Sequence, residues 1–255
     1  MVRLAANLSM MFNEWGFMDR FQAAAEAGFS AVEYLFPYDF SPDDIAAALV
    51  RHKLTQALFN LPPGDWAKGD RGMASIPARR DEFRASVATA LRYATATGVK
   101  RLHVMSGHGS RTDKAAAAAY ADSLRYACDQ VGPHGIDILI EPINGRDMPG
   151  YFLNDFSYAA DLIAELALPN LRLQFDIYHR QILHGDVLMG LRSLFPLIGH
   201  VQIASVPARH EPGTGELDDF RILRELDALA YAGFVGCEYR PAGNTIDGLG
   251  WRARL

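Results

Sequence analysis

The chain has few cysteines, no cluster of basic residues and no long apolar run, and each absence excludes a class of protein. Cys128 and Cys237 are the only cysteines among 255 residues, too few for a disulfide framework, so we expect a reducing, cytoplasmic setting. Lys and Arg total 25 against 30 Asp and Glu, a formal net charge of −5, without a basic run, which argues against a nucleic-acid partner. No stretch approaches the roughly 18–20 apolar residues of a membrane span, and the first ten residues contain no signal-peptide core. We therefore expect a soluble protein with a small-molecule partner.

Short apolar or β-branched runs alternate along the whole chain with longer segments of helical period. The runs predict strands at residues 4–8, 31–36, 55–60, 101–105, 137–141, 171–176, 200–204 and 235–238. Helices are predicted at 17–27, 41–52, 80–97, 113–131, 155–166, 185–195 and 219–230. This alternation is typical of parallel βαβ units, and the count of eight strands favours a closed barrel over an open sheet. We predict an α/β fold with residues 1–255 as a single (β/α)₈ TIM-barrel domain, a fold of about 250 residues. The Ala-rich segment 115–121 would allow a homo-oligomer.

Oxygen-bearing side chains stand at or near the carboxyl ends of the last four predicted strands. They are Glu141, Asp176, Gln202 and Glu238, one on each strand. A lone Glu at a strand end is more often a salt-bridging group, but four such residues on consecutive strands, about 4.8 Å apart, can converge at the end where barrel active sites lie. Three carboxylates in a partly desolvated cavity must take up protons or bind a cation. The pattern predicts one divalent metal ion, Mg²⁺ or Mn²⁺, held mainly by oxygen ligands.

Two more residues near this end have both a functional and a structural interpretation. His179 lies three residues beyond Asp176, on the loop predicted to leave strand six, and could bind a substrate oxygen or cap the next helix. Arg209 lies with Glu211 in the long loop after strand seven, and could bind a substrate carboxylate through its bidentate guanidinium or form a surface salt bridge. The residues alone leave both choices open.

Motifs along nearly the whole chain resemble those of the hydroxypyruvate isomerase family, within the xylose-isomerase-like barrels. They are AANLSM at 5–10, EYLFPY at 33–38, FNLPPGDW at 59–66, EPIN at 141–144, DIYH at 176–179, HVQIA at 200–204 followed by Pro207, Arg209, Glu211 and Pro212, and GCEY at 236–239. Together these motifs are specific to the family, although none is specific alone.

The resemblance implies roles for individual residues. Glu141, Asp176, Gln202 and Glu238 would be the metal ligands, and Glu141 and Glu238 would also transfer protons. The related ketose 3-epimerases usually have His where Gln202 stands, a departure that keeps oxygen ligation complete. The substrate-binding candidates are His179, Arg209, Glu211 and Trp66. Asn7, Asn60 and His103 join them, because they lie at or near the ends of strands one, three and four and could line the opposite wall.

The family reaction interconverts hydroxypyruvate and tartronate semialdehyde through an enediolate, whose charge the metal stabilises. A close branch isomerises the four-carbon 2-oxotetronate instead. Other interpretations are a ketose 3-epimerase or inosose dehydratase on the same barrel, a multi-zinc nuclease, which would need more histidines at strand ends, and a sugar-acid-binding protein on an inactive barrel.

Replacing either proposed proton-transfer residue by its amide tests their assignment. We expect Glu141→Gln and Glu238→Gln each to lower kcat by about 10²-fold or more, because acid–base catalysis contributes about 10²- to 10⁴-fold. Steady-state kinetics on hydroxypyruvate provides the measurement. Near-normal turnover in either variant would remove the two-glutamate assignment.

Overall fold

Eight parallel strands form a closed barrel in the computed structural model, which describes residues 2–255. Each strand pairs with its neighbours in sequence, and β1 pairs with β8 to close the barrel. The strands are β1 Arg3–Asn7, β2 Ala31–Tyr34, β3 Thr55–Asn60, β4 Arg101–His103, β5 Asp137–Ile140, β6 Leu171–Asp176, β7 Ile198–Ile203 and β8 Phe234–Cys237. The prediction of a (β/α)₈ TIM barrel is confirmed.

Helices follow the strands and cover the outside of the barrel. They are α1 Arg20–Glu26, α2 Pro42–His52, α3 Arg80–Thr97, α4 Lys114–Val131, α5 Phe156–Leu166, α6 Ile177–Leu183, α7 Val187–Leu194, α8 Asp219–Ala228 and the short α9 Thr245–Gly248. Three-residue 3₁₀ turns occur at Phe17–Asp19, Trp66–Lys68, Pro77–Arg79, Gly132–His134 and Phe195–Leu197, and a longer 3₁₀ segment at Leu249–Arg254. Within residues 2–255, no helix combines the length and apolarity that crossing a bilayer requires.

Local sequence chemistry sets several helix ends. Helix α2 begins where the Ser41 hydroxyl accepts the backbone N–H of Asp44 at 3.1 Å, with Pro42 at the first helical position. Helix α3 ends at Gly98, whose φ of +73° is in the left-handed region that glycine adopts without a steric penalty. These signals are why most predicted helices agree with the observed ones to within a few residues.

The region after β6 differs from the prediction. The sequence predicts a loop at His179, but the structure continues directly from β6 into α6, with Asp176 as the residue that caps the helix. Its carboxylate accepts the backbone N–H of Tyr178 at 2.7 Å. A seven-residue helix is too short to give a clear helical period in sequence. The predicted helix at 185–195 is observed as α7 followed by a 3₁₀ turn.

Inside the barrel the carboxylate of Glu33 lies between β2, β7 and β8. Its side chain is fully buried and accepts hydrogen bonds from the amide of Gln202 at 2.8 Å and that of Asn7 at 3.0 Å, and it lies 2.7 Å from Nε2 of His200. Gly236 on β8 faces this carboxylate, and a Cβ atom added there would lie 2.3 Å from both oxygens. Glycine at position 236 therefore makes the room that the Glu33 carboxylate occupies.

We expect Gly236→Ala to lower the free energy of unfolding by about 1–3 kcal/mol, the usual cost of overpacking a well-packed interior. The added methyl must displace a buried carboxylate that three partners hold. Chemical denaturation measures the change. Gly250→Ala is the matched control, because a Cβ atom there has no neighbour within 4 Å, and its effect should stay within about 0.5 kcal/mol. Equal stability of the two variants would contradict this account of Gly236.

Candidate active site

Four acidic or imidazole side chains meet at the carboxyl end of the barrel. Glu141, Asp176, His179 and Glu238 each offer one ligand atom, and these atoms all lie within 4.8 Å of one another. All four residues are at most 8% exposed. The structure therefore brings together the three carboxylates that sequence analysis proposed as metal ligands, and adds an imidazole to them.

The backbone positions the carboxylates in a simple way. Glu141 directly follows β5, Asp176 is the last residue of β6, and Glu238 directly follows β8. Asp176 lies opposite Gln202 in the register of β6 and β7, and Gln202 lies opposite Gly236 in the register of β7 and β8. Parallel strands of a closed barrel direct their ends to one rim, so residues far apart in sequence converge there.

Burial and mutual repulsion set the electrostatics of this cluster. Burial raises the pKa of Glu141 well above its ordinary value, and the nearby Glu238 and Asp176 carboxylates raise it further. Burial also raises the pKa of Asp176 to about 6 and that of Glu238 to about 8, although Arg209 opposes both shifts. The charged form of each group is disfavoured by lost hydration and by like charges.

The guanidinium of Arg209 lies against the cluster. One of its terminal nitrogens is 2.5 Å from Glu238 Oε2 and 3.5 Å from Asp176 Oδ2, and the other is 3.1 Å from Asp147 Oδ2. The guanidinium carbon lies 4.8 Å from the ring centre of Tyr178. Arg209 also has a φ of +58°, a left-handed conformation that non-glycine residues adopt rarely and that clusters at functional sites. Arg209 does form ion pairs, as one of its two interpretations proposed, but its side chain is only 12% exposed. Binding of a substrate carboxylate by Arg209 stays a prediction.

Gln202 belongs to a polar layer just below the carboxylates. Its side-chain oxygen accepts the amide N–H of Gln174 at 2.6 Å, and its nitrogen donates to Glu33. Asn7 donates to Glu33 and also, at 3.3 Å, to Glu238. This layer ties the carboxylates to the barrel interior. The ligand role proposed for Gln202 stays a prediction, and its oxygen has a second lone pair for that role.

Two histidines border Glu141 from different strands. His103, the last residue of β4, has its Nε2 atom 3.7 Å from Glu141 Oε2. Nε2 of His179 lies 3.9 Å from Glu141 Oε1 and 3.5 Å from Asp176 Oδ2. Burial lowers the pKa of His103 to about 3 and that of His179 well below its ordinary value. Both imidazoles are therefore neutral next to the carboxylates at physiological pH.

A cavity of about 860 Å³ opens above Arg209. Trp66, Arg71, Asp147, Arg209 and Arg240 are among the residues that line it. The guanidinium carbon of Arg71 lies 3.9 Å from a ring centre of Trp66. Trp66 thus lines the same cavity as Arg209, and substrate binding by Trp66 stays a prediction.

The structure does not bring the remaining candidates to the cluster in the same way. Both carboxylate oxygens of Glu211 accept the backbone N–H of Ala242, at 3.1 and 3.3 Å, so Glu211 holds the loop after β8. Asn60 ends β3 beside His103 in the register and is buried. Substrate binding by Glu211 and Asn60 stays a prediction.

Sequence reasoning did not identify four polar residues at or beneath the site. Gln174 and His200 each precede a candidate ligand by two positions, so the two-residue period of a strand places them on the same inward face. That spacing was the available signal. Asn144 ends the EPIN motif, which was the available signal for it, whereas Asp147 lies in the segment after β5, where no periodicity points to the site.

The residues present fit a hard divalent cation. Among the described residues, Glu141 Oε1 and Asp176 Oδ2 are buried and have no hydrogen-bond partner. Buried carboxylate oxygens normally have partners, and oxygen donors are what Mg²⁺ and Mn²⁺ prefer. A cation at the cluster would satisfy both oxygens and offset the repulsion among the carboxylates.

Comparison with known proteins places this barrel in a family. A family model described as xylose isomerase-like TIM barrel matches residues 21–255. The chain belongs to the xylose isomerase-like TIM-barrel family. Within the family it is 50% identical to the 2-oxo-tetronate isomerase of Cupriavidus necator, over 98% of this chain and 97% of that protein. It is 42% identical to the hydroxypyruvate isomerase of Escherichia coli, over 98% of each chain. The resemblance to hydroxypyruvate isomerases inferred from the motifs is confirmed.

A solved structure from Brucella melitensis agrees with this barrel almost completely. Its TM-score is 0.97 at 51% identity, and the match covers 99% of this chain and 98% of that one. That protein is named AP endonuclease, family 2. The proteins similar to this chain therefore carry the names of both isomerases and a nuclease.

The raised carboxyl pKa values predict a pH dependence of stability in the metal-free chain. Glu141 and Glu238 keep protons in the folded chain that they lose when unfolded, so folding binds protons and stability falls as pH rises toward 8. We expect the free energy of unfolding in EDTA to fall by on the order of 1 kcal/mol between pH 7 and 8.

Urea denaturation at several pH values measures this slope. Glu238→Gln is the control, because it removes one of the titrating groups and should flatten the dependence. A metal-free chain whose stability stays constant or rises between pH 7 and 8 would contradict the raised pKa values.

Proposed function

We propose that the chain is a metal-dependent isomerase that interconverts the aldehyde and ketone forms of short oxo and hydroxy acids. The observation that carries this proposal is the buried group of Glu141, Asp176 and Glu238, with the Arg209 guanidinium beside it. Two oxygens of this group have no hydrogen-bond partner. Relatives named 2-oxo-tetronate isomerase and hydroxypyruvate isomerase, at 50% and 42% identity over nearly the full length, support the isomerase class. The two buried free cysteines fit a reducing, cytoplasmic setting.

Glu141 and Glu238 fit the proton transfers of this reaction. They come from β5 and β8 and meet in one buried cluster, so one can take a proton from a substrate carbon while the other returns one to the neighbouring carbon. Glu141 has an oxygen without a hydrogen-bond partner, whereas the Glu238 oxygens contact Asn7 and Arg209. Glu141 is therefore the freer of the two bases.

The remaining groups bind and shield the substrate. A divalent cation held by Glu141, Asp176, Glu238 and Gln202 would supply stabilisation for the negative charge that develops on the substrate oxygens. Arg209 has a buried Nε–H without a partner among the described residues, so it retains hydrogen-bonding capacity for a substrate carboxylate. The aromatic surface of Trp66 lines the entrance and helps to exclude water from the reacting carbons.

Two substrates of this class are candidates. Hydroxypyruvate, which would give tartronate semialdehyde, is the three-carbon candidate. The four-carbon 2-oxotetronate is the second, and the higher identity to the relative named for that substrate favours it. The cavity of about 860 Å³ beside Arg209 is larger than either acid, so binding contacts rather than volume would discriminate between them.

A nuclease activity, which the name of the Brucella melitensis protein suggests for that protein, fits this site less well. Among the described residues, the potential metal cluster contains one histidine beside three carboxylates, whereas a multi-zinc site needs more nitrogen ligands. The net charge of −5 also disfavours binding to a phosphate backbone.

The test is proton NMR of each acid with the purified protein in D₂O, with and without EDTA. We expect aldose–ketose interconversion with deuterium uptake at the reacting carbons, loss of turnover with EDTA, and recovery with Mg²⁺ or Mn²⁺. Abasic-site DNA and neutral ketoses are the comparison substrates. No conversion of either acid by the metal-loaded protein would refute the proposal, and turnover of a neutral ketose alone would favour an epimerase.

A further inference from the structure

Asn144 contacts His179 on the side of the imidazole that faces away from the carboxylates. The side-chain nitrogen of Asn144 lies 2.6 Å from His179 Nδ1, and its backbone N–H points to the same atom at 3.4 Å. Asn144 is fully buried and His179 is 2% exposed. Water therefore does not compete for Nδ1.

The orientation of the Asn144 amide is fixed by its other end. Its side-chain oxygen accepts the backbone N–H of Arg146 at 2.9 Å and that of Asp147 at 3.0 Å. Turning the amide by 180° would place its NH₂ group against two N–H donors and lose both hydrogen bonds. The NH₂ group must therefore face His179.

This arrangement determines where His179 carries its proton. Two N–H donors point at Nδ1, so Nδ1 must be the acceptor and the ring proton must be on Nε2. Nε2 is the atom that faces Asp176 and Glu141. An Nε2 that carries a proton has no lone pair for a metal ion, but it can donate a hydrogen bond to an oxygen beside the carboxylates.

We propose that Asn144 is a positioning residue that fixes the Nε2–H tautomer of His179, and so makes His179 a hydrogen-bond donor to a substrate oxygen rather than a metal ligand. The tautomer follows from the contacts of Asn144 alone, whereas the donation to a substrate oxygen rests on the proposed isomerase function. His179 then leaves the cation to Glu141, Asp176, Glu238 and Gln202, although its position among the carboxylates would suit a ligand.

Imidazole ¹⁵N NMR of the Mg²⁺-loaded full-length protein tests the tautomer without any substrate. The His179 signals are assigned among the eight histidines by their loss in His179→Gln. We expect an unprotonated Nδ1 and a protonated Nε2. A proton on Nδ1 with an unprotonated Nε2 would leave Nε2 free to bind the cation and would overturn the inference.

Asn144→Asp is the sharpest variant, because its carboxylate keeps an acceptor for Arg146 and Asp147 while replacing the donor to His179 by an acceptor. We expect a proton to move onto Nδ1 in this variant. Asn154→Asp, which makes the same substitution at a part-buried position and keeps the oxygen that accepts from Arg111, should leave the His179 signals unchanged. An unprotonated Nδ1 in Asn144→Asp would show that Asn144 does not set the tautomer.

Kinetics then tests whether Asn144 acts through His179. We expect Asn144→Ala to lower kcat/KM by about 10-fold, because the variant leaves the buried Nδ1 acceptor of His179 without its side-chain donor. The double variant Asn144→Ala/His179→Gln should be no slower than His179→Gln, because the two residues act as one unit. Additive losses would overturn the coupling. Inactivity of the parent protein toward all oxo acids would refute the isomerase proposal while leaving the NMR result to decide the tautomer.

Discussion

Three carboxylates buried at one point are the constraint on which the rest of the site depends. Glu141, Asp176 and Glu238 lie together with little access to water, so each disfavours the charged form of the others. Left without partners, such groups would cost several kcal/mol of stability. Arg209, bound protons or a cation must offset this cost, and the chain supplies the first of these from the loop after β7.

The polar layer below the carboxylates pairs a buried acidic side chain with hydrogen-bonding partners. Glu33 is a fourth buried carboxylate, but it is completely surrounded by donors from Asn7, His200 and Gln202. The Glu33 carboxylate thus orients the Gln202 amide inside the barrel. The glycine at position 236 is part of this arrangement, since any side chain there would collide with the Glu33 carboxylate. The Glu33 oxygens have hydrogen-bond partners, whereas Glu141 Oε1 has none. The barrel interior therefore differs from the candidate site in whether its buried carboxylate oxygens are hydrogen-bonded.

A histidine beside the carboxylates of this barrel can either bind the metal ion or donate a hydrogen bond to a substrate. His179 lies within reach of a metal ion, yet the amide of Asn144 faces its other nitrogen. Geometry alone would count it as a ligand, whereas the direction of its hydrogen bonds makes it a donor. A site for oxo acids benefits from such a neutral donor, because it can stabilise negative charge on an oxygen without adding a positive charge that the carboxylates would neutralise.

The sequence by itself determined the barrel and most of the candidate site. Eight strands that alternate with helices predict a closed barrel, whose strand ends meet at one rim. The sequence places Glu141, Asp176, Gln202 and Glu238 at or near the ends of consecutive strands. Their convergence can therefore be predicted from strand periodicity and barrel closure alone. Helix α6 escaped prediction because seven residues give too little periodicity. Only the tertiary structure showed that Arg209 is buried against the carboxylates, that Glu211 holds a loop and that Asn144 faces His179. These outcomes depend on which loop atoms meet across the barrel mouth, and a linear sequence does not specify those distances.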